Sequence, residues 1–521
     1  MKKNRKALLV YPKFPENSFW NFQDINKLFL LPSEFGEPKA NMPPLGLLSI
    51  APLLEKEYGR ENITIVDLNN RLLDTSYIQE ADDVYLSAML TQRESFQEVA
   101  TLAKQLGKTV IAGGPYVSEK MENVDHAFIN EADLTLPIFL KDYFKGKAKK
   151  VYKSDRKPNV DEFLRPDYSY INVHNYTTMA VQFSRGCPHD CDFCDITQRF
   201  GRKMRTKNID FVMEELNQLY DLGWRHQVMF IDDNFIGKPS EALELLKVLV
   251  DWQKEHGHPF EYFTQASVLL AEKSYEELLK LFAPANFSMV FLGIETPNED
   301  SLRETNKAFN LKKGMTLVEK VRRIQEVGQI MILGGFIVGF DSDTDKIFEQ
   351  QADFIKEIKL PVPMIGLLSP LPKTRLRDRL EKEKRLHDFG TEGDVAGSLA
   401  VTFKPSKMSE DELVQGYKDL LESVYMNMGE FYERCNDTIK YMARKKGKVP
   451  ADKEGVLSVL KLFWVQGIKS SYRLKFWKYI IVNLIKYPVK LEYIFRLSAY
   501  GFHYNRLAKG LVSEEISGEF V

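Results

Sequence analysis

Three cysteines within eight residues are the strongest chemical signal in this sequence. They are Cys187, Cys191 and Cys194, spaced C-x3-C-x2-C, and the one remaining cysteine of the chain is Cys435. Thiolates are soft ligands that favour zinc or iron–sulfur clusters. A closed structural zinc site takes four protein ligands, and a cubane [4Fe–4S] cluster has four iron corners. The three cysteines therefore favour a [4Fe–4S] cluster with one iron left open. A zinc site completed by His189, or inert buried thiols, are the alternatives.

The cysteines lie on a loop between a predicted strand and a predicted helix. Thr178–Phe183 alternates apolar and polar residues and predicts a strand, and a helical pattern begins at Asn208. The loop thus leaves the carboxyl end of a strand, where α/β barrels place their chemistry. The stretch resembles the radical S-adenosylmethionine (SAM) superfamily, whose motif is C-x3-C-x-aromatic-C, with Phe193 as the aromatic residue. The resemblance implies that the open iron binds SAM and that electron transfer cleaves SAM to a 5′-deoxyadenosyl radical.

Predicted strands recur along residues 177–385, separated by helical stretches such as Ser240–Gln253 and Tyr275–Phe282. Six βα units predict a partial, open (β/α)6 barrel, with functional side chains at the carboxyl ends of its strands. The strands are Met179–Phe183, Gln227–Ile231, Glu261–Ala266, Met289–Ile294, Met331–Val338 and Met364–Leu368.

Polar residues stand at the ends of several of these strands. The resemblance implies that Asp232, Asp233 and Asn234 bind the ammonium group of SAM, in place of the Gly-Gly-Glu-like stretch of the superfamily. It further implies ribose contacts, an adenine contact from the glycine-rich strand, and a carboxylate contact from Arg202 or Arg205. The plainer alternatives are that the aspartates cap the helix after Pro239 and that Glu295 is solvated. The candidate SAM-binding residues are Phe193, Arg205, Asp232, Asp233, Asn234, Gln265, Ser267, Glu295 and Ile337.

Residues 1–150 alternate short β-rich runs with helical patterns, which predicts a Rossmann-like, doubly wound parallel sheet. The runs are Ala7–Tyr11, Thr64–Leu68, Val84–Met89 and Thr109–Ala112, and the helical patterns include Leu45–Tyr58 and Glu94–Leu106. Ligands of such sheets bind over the carboxyl ends of the strands.

Four short motifs follow one another in these residues: 43–48 (PPLGLL), Asp67 at a strand end, 113–115 (GGP) and 131–133 (EAD). Their order resembles the cobalamin-binding domain that precedes many radical SAM modules. The chain has no Asp-x-His-x-x-Gly motif, so we expect no histidine on the cobalt. A Rossmann-like domain kept for packing alone is the alternative. The candidate cobalamin-binding residues are Pro12, Pro44, Leu45, Gly46, Ser87, Thr91, Gly113, Gly114 and Glu131.

A linker is predicted for residues 151–176 and a mostly helical domain for 386–521, with Glu410–Tyr432 as one long helix. Residues 472–507 are rich in aromatic and basic side chains. Such helices can lie on a membrane surface, here the inner membrane face, or can pack on the barrel with a solvated basic face. Together with the barrel, this tail resembles the cobalamin-dependent radical SAM proteins related to the hopanoid C-2 methylases.

The composition of the chain further restricts the classes of function that are compatible with the sequence. The 521 residues carry a formal net charge of −1, which gives no case for nucleic-acid binding, and the sequence predicts neither a signal peptide nor a membrane span. The cysteine usage predicts a reducing cytoplasm. The resemblance implies a methyltransferase that uses a [4Fe–4S] cluster, SAM, cobalamin and an external flavodoxin- or ferredoxin-like electron donor. The aromatic tail favours an apolar, lipid- or terpenoid-like substrate. A radical cyclase or rearrangement enzyme and a corrinoid- or redox-sensing binding protein are the alternatives.

Overall fold

The computed structural model describes residues 5–15, 33–34, 36–311, 314–387, 399–444, 446–447 and 453–513. The chain forms two compact units. One contains most of the chain up to Gly186 together with Arg199–Ile231, and the other contains Cys187–Gln198 and the chain from Asp232 onward.

The first unit contains a six-stranded sheet in the order β2-β1-β3-β4-β5-β6, with every pair of neighbours parallel. This order confirms the predicted doubly wound sheet, whose apolar runs are buried on both faces because helices cover them. The strands are β1 (Ala7–Tyr11), β2 (Ile63–Asp67), β3 (Asp83–Ser87), β4 (Thr109–Gly113), β5 (His126–Ile129) and β6 (Val151–Lys153). The helices are α1 (Leu45–Tyr58), α2 (Thr75–Glu80), α3 (Arg93–Gln105) and α4 (Ala132–Tyr143).

Two of these strands were not predicted. β5 is four residues long and begins with His126, and β6 is three residues long. Runs this short carry too little alternation to be recognised, although they pair in parallel with each other. The residues predicted as a linker therefore begin with a strand of the first sheet.

The six long strands β7 and β10 to β14 occur in the chain order predicted for the partial (β/α)6 barrel, two of them in the first unit and four in the second. Within the first unit, β10 pairs in parallel with β7, and β8 pairs antiparallel with β9. Within the second unit, β11, β12, β13 and β14 pair in parallel in that order. The strands are β7 (Thr178–Val181), β8 (Ser184–Arg185), β9 (Arg205–Thr206), β10 (Gln227–Phe230), β11 (Glu261–Ala266), β12 (Phe287–Glu295), β13 (Met331–Val338) and β14 (Val362–Leu367).

Helices alternate with these strands along the chain. They are α5 (Ile196–Phe200), α6 (Ile209–Asp221), α7 (Pro239–Glu255), α8 (Glu276–Leu281), α9 (Glu299–Glu304), α10 (Leu317–Gly328), α11 (Ile347–Glu357) and α12 (Arg375–Lys382).

The C-terminal region is helical, as predicted, but the single helix expected for Glu410–Tyr432 is wrong. The structure has two helices there, because Asn427 accepts hydrogen bonds from the backbone N–H groups of Gly429 and Glu430 and starts a new helix. The helices are α13 (Glu410–Tyr425), α14 (Met428–Tyr441), α15 (Lys453–Leu462), α16 (Arg473–Lys486) and α17 (Leu491–Ser513), with a π-helical segment at Phe463–Lys469. No helix within the described ranges has the length and hydropathy of a membrane span.

Candidate functional site

The three clustered cysteines share a desolvated environment in the second unit. All three are half-buried, and burial raises the pKa of Cys191 to about 11 and of Cys194 to about 12. Backbone N–H groups of His189 and Ile196 lie against the sulfurs of Cys187 and Cys194. N–H donors of this kind stabilise metal-bound thiolates and tune iron–sulfur clusters. The donor set and its N–H partners thus fit an iron–sulfur cluster.

Ion pairs and hydrogen bonds hold the cysteine loop in place. Arg375 reaches Asp190 and Asp192 at 2.9 Å each. The backbone N–H of Asp192 donates to Thr305 at 3.0 Å, and its carbonyl accepts from Leu376 at 3.0 Å. The loop is therefore fixed by α12 and by the turn after α9, before any ligand is considered.

His189 does not complete a set of ligands for a single ion. Its ring stacks on Phe309 with centroids 3.8 Å apart and planes at 13°. Among the residues that the structure describes, no three His, Cys, Asp or Glu side chains are arranged around one metal ion.

Two buried polar atoms that follow neighbouring predicted strands have no hydrogen-bond partner in the described part of the chain. They are Oδ1 of Asn234 and Oγ of Ser267, which follow β10 and β11. The Nδ2 atom of Asn234 lies 4.0 Å from Sγ of Cys187. A buried acceptor or hydroxyl without a partner is costly, so a bound ligand or an ordered water would satisfy these atoms. Both atoms belong to the predicted SAM-binding set.

The neighbouring predicted residues lie at the same strand ends. Asp232 is fully buried, Asp233 and Gln265 are half-buried, and the backbone N–H of Phe235 donates to the Gln265 carbonyl at 2.9 Å. The alternative that the aspartates cap the following helix is wrong. Helix α7 begins at Pro239 and its N-cap residue is Lys238, without a side-chain cap.

Glu295 is buried and forms an ion pair with Lys307, which is also buried. The alternative that Glu295 is a solvated residue is therefore wrong. Burial alone would lower the pKa of Lys307, but the Glu295 carboxylate and the neighbouring Cys191 and Cys194 raise it above its ordinary value. A permanent positive charge thus stands beside the cluster thiols, and sequence reasoning did not identify it.

The backbone at Glu295 is held in an unusual conformation. Its φ is 70°, in the left-handed region, and the register between β12 and β13 shifts there. Asn310 donates to the carbonyls of Gly293 and Ile294, and Gln351 donates to the carbonyl of Glu295. Strained residues that are braced in this way are common at functional sites.

The glycine-rich strand leaves no room for larger side chains. A Cβ on Gly335 would lie 2.7 Å from Cζ of Phe291, and a Cβ on Gly334 would lie 2.5 Å from Cδ2 of Leu360. Ile337 is half-buried in the same strand β13. Phe193, on the cysteine loop, packs against Phe340 just after this strand, with centroids 5.9 Å apart.

Arg205 does not lie free for a SAM carboxylate. In the first unit its two terminal nitrogens each donate to Glu131 at 3.0 Å. The same two nitrogens also donate to the backbone carbonyls of Pro158 and Phe200. Arg185 also donates to Glu131 and to Asp133. Arg205 and Glu131, predicted to hold different cofactors, instead pair with each other. A sequence separation of 74 residues gives no sign of this contact.

Several predicted cobalamin-binding residues come together at the carboxyl edge of the first sheet. A Cβ on Gly46 would lie 3.8 Å from Oγ of Ser87, and one on Gly114 would lie 2.8 Å from the Ala88 carbonyl oxygen. Gly114 has a φ of 96°, which favours glycine. These contacts bring the loops after β3 and β4 and the start of α1 together at one edge of the sheet. Gly113 ends β4, Pro44 and Leu45 start α1, Thr91 lies in the short helix after β3, and Pro12 follows β1 and accepts from Asn69 at 3.0 Å.

Comparison with known proteins agrees with these features. Residues 181–384 match the radical SAM superfamily, and residues 374–516 match a domain of unknown function (DUF4070). An uncharacterized methyltransferase, sll1242, of Synechocystis is 34% identical over 98% of this chain and 93% of its own length. The hopanoid C-2 methylase of Rhodopseudomonas palustris is 32% identical over 93% of this chain and 90% of its own length.

Two solved structures share the fold. TsrM from Kitasatospora setae, a radical SAM methyltransferase with cobalamin and a [4Fe–4S] cluster bound, has a TM-score of 0.56 at 15% identity and covers 79% of this chain and 85% of its own. OxsB, a cobalamin-dependent SAM radical enzyme, has a TM-score of 0.59 at 12% identity and covers 97% and 80%. The similarity in sequence to the two methyltransferases spans nearly the whole chain. The protein therefore belongs to the radical SAM superfamily and, within it, to the methyltransferase family that includes the hopanoid C-2 methylase.

Proposed function

We propose that this radical SAM enzyme is a cobalamin-dependent C-methyltransferase that acts on an unactivated carbon of an apolar, lipid- or terpenoid-like substrate. The observation that carries the proposal is the unsatisfied buried Oδ1 atom of Asn234, whose amide lies beside Cys187 of a cysteine loop with the superfamily spacing, together with the unsatisfied Ser267 hydroxyl after β11. When bound, the cluster with SAM supplies a radical that removes hydrogen, and the corrin supplies the methyl group.

The residues of the second unit would hold the first two cofactors. Cys187, Cys191 and Cys194 would bind three irons, and Asn234 and Ser267 would accept or donate to SAM. The Glu295 carboxylate, already oriented by Lys307, would accept from ribose hydroxyls. The burial of these groups excludes water, which strengthens each electrostatic contact.

The first unit would hold the corrin at the edge formed by Gly46, Ser87 and Gly114. Gly46 and Gly114 bring the backbone at this edge close to Ser87 and Ala88, so the carboxyl ends of the strands carry no bulky side chain at these two positions. The segment between β1 and α1 contains no histidine, so the protein would hold cobalamin without a histidine ligand to the cobalt.

The apolar substrate rests on the relatives rather than on the aromatic tail. One relative is named for a hopanoid and another, from Chlorobaculum tepidum, for a bacteriochlorophyllide. Helix α17 contacts the opposite ends of the strands from the cysteine loop. Its Arg496 pairs with Glu261, the first residue of β11, and Tyr500 contacts Met289 near the start of β12. These tail contacts therefore do not describe a substrate pocket. A flavodoxin- or ferredoxin-like donor would supply the electrons, in the cytoplasm at the inner membrane face.

The test is anaerobic reconstitution of the full chain with iron, sulfide and hydroxocobalamin, followed by SAM, a strong reductant and a hopanoid. The products to quantify are 5′-deoxyadenosine, S-adenosylhomocysteine and the mass of the lipid. The matched variants are Cys191→Ala, which removes a predicted cluster ligand, and Cys435→Ala, which removes a buried thiol far from the loop in sequence.

We expect both SAM-derived products and a lipid heavier by one methyl group from the wild type and from Cys435→Ala, with 5′-deoxyadenosine absent from Cys191→Ala. Deoxyadenosine without S-adenosylhomocysteine, and a product of unchanged carbon count, would instead identify a cyclase or rearrangement enzyme.

A further inference from the structure

The C-terminal helices carry a concentrated, exposed apolar surface. Ten of the fourteen large hydrophobic side chains that are exposed in the described residues fall between Val456 and Leu491. Single exposed apolar residues need no explanation, but a contiguous set marks a binding surface. The largest contributors, between 51% and 80% exposed, are Leu460, Trp464, Ile468, Leu474, Ile481 and Ile485.

These side chains form two adjacent stripes rather than a scatter. Leu460, Trp464 and Ile468 recur every four residues along α15 and the π-helical segment. Leu474, Ile481 and Ile485 lie on one face of α16, because separations of seven and eleven residues return to the same side of a helix.

Close packing holds the two stripes side by side. Trp477 of α16 donates to the Gly467 carbonyl at 2.9 Å and stacks on Phe463 with centroids 5.3 Å apart. A Cβ on Gly467 would lie 2.9 Å from the Trp477 ring, so glycine allows this approach. The opposite face of α16 is buried through Phe476, Tyr479 and Ile480, which leaves the apolar stripe facing outward.

The positive charge of residues 455–491 favours an anionic partner. Residues 455–491 contain seven Lys or Arg residues and no Asp or Glu, whereas the whole chain has a net charge of −1. The remainder of the chain therefore carries a net charge of −8. Lys469 lies over the Trp464 ring, 5.4 Å from its centroid, and both Lys478 and Lys486 are exposed on α16. Lysines beside an apolar stripe that includes Trp suit the headgroup level of an anionic membrane.

We propose that the face formed by the two stripes, Leu460–Ile468 and Leu474–Ile485, docks on the surface of an anionic phospholipid bilayer. A second copy of this chain fits poorly, because residues 455–491 carry only positive formal charges and two copies of the face would repel each other. Helix α16 packs on α14 through Asn483 and Asn436, and on α17 through Tyr479 and the Ile494 carbonyl. Docking would thus localise the enzyme without lining its active site, and it stands independently of the proposed reaction.

The test measures binding of the full chain to vesicles by flotation, which needs no turnover. Vesicles of phosphatidylcholine with phosphatidylglycerol are compared with pure phosphatidylcholine at low and high salt. The variants are Leu474→Glu/Ile485→Glu, which disrupts the stripe, and Lys478→Gln/Lys486→Gln, which removes charge. Leu72→Glu is the matched control, since Leu72 is 74% exposed in the first unit.

We expect binding to the anionic vesicles that weakens with salt. The stripe variant and the charge variant should each lower the vesicle partition about tenfold or more, and Leu72→Glu should leave it unchanged. Equal binding to neutral vesicles, unchanged binding of the stripe variant, or equal loss in Leu72→Glu would overturn the proposal. So would a wild-type dimer that the stripe variant converts to a monomer, because the face would then be an interface between copies.

Discussion

The ion pair between Glu295 and Lys307 allows a sharp test of how this site is held together. Glu295→Gln keeps the size of the side chain and removes its charge. The Lys307 ammonium would then remain buried, with the rings of Phe193 and Phe309 at 5.7 and 5.8 Å as its nearest aromatic neighbours. Aromatic faces at that distance stabilise a cation far less than a carboxylate in contact.

The size of the effect follows from the burial of both groups. Glu295 and Lys307 are 7% and 8% exposed, so solvent can screen little of the charge that is left. Removing one partner of a buried pair costs about 3–5 kcal/mol. The second unit has roughly 300 residues and an unfolding entropy of about 2 cal/mol/K per residue, so this cost corresponds to a fall in the midpoint of thermal unfolding of roughly 5–8 °C. The double variant Glu295→Gln/Lys307→Met buries no charge at these two positions, so it should recover most of the stability that the single variant loses.

The assay is thermal unfolding of the protein without cofactors, followed by circular dichroism, for the wild type, both single variants and the double variant. Glu299→Gln is the control, because Glu299 pairs with Arg303 on the exposed surface of α9 and should change stability by less than about 0.5 kcal/mol. A shift in Glu295→Gln no larger than that of the control would refute the reasoning. So would a double variant that is no more stable than the single variants.

Three further effects follow from the contacts of single residues. Gly416→Ala should destabilise the protein by about 1–3 kcal/mol in denaturant unfolding, because its Cβ would lie 2.1 Å from Cε2 of Phe348 and close to two further ring atoms. Asn427→Ala should cost about 1 kcal/mol in the same assay, since it removes the cap that begins α14. In the protein without its cluster, burial raises the pKa of Cys191 to about 11 and of Cys194 to about 12, so both thiols are protonated at pH 8. Their alkylation by iodoacetamide should therefore be about tenfold slower than in denaturant and should accelerate as the pH rises.

Each of these expectations has a control. Gly510→Ala adds the same methyl group where no atom lies within 4 Å, and it should leave stability equal or higher by up to about 1 kcal/mol. Equal losses in the two glycine variants would show that contact with the ring is not the cause. Unchanged stability in Asn427→Ala, or alkylation at pH 8 as fast in the folded protein as in denaturant, would contradict the other two.

Local sequence predicted many elements of the fold because long buried runs carry their own signal. Residues Glu261–Ala266, Met331–Val338 and Leu45–Tyr58 form the predicted elements with the predicted bounds. Short or interrupted elements were missed or merged. β5 and β6 are too brief to show a period, and the apolar period continues across Asn427 although a cap divides the helix there.

The candidate site likewise combines features that the local sequence predicts with contacts that only the folded chain shows. The spacing of the three cysteines and the polar residues after the strands are local features, and they predicted the cluster loop and its rim. The pairing of Glu295 with Lys307, and of Arg205 with Glu131, joins residues that only folding brings together. Nothing in the sequence around Lys307 marks it as a buried cation beside the cysteine thiols.

The sequence by itself thus determined the type of chemistry and the alternation of strands and helices, because ligand spacing and hydrophobic periodicity act over a few residues. The tertiary structure decided which charges neutralise each other, which polar atoms stay unsatisfied, and which side of the C-terminal helices faces outward. Those outcomes depend on burial and on contacts between distant segments. A carboxylate has the same formula in solvent and in a core, and only its neighbours decide whether it binds a ligand or holds another residue in place.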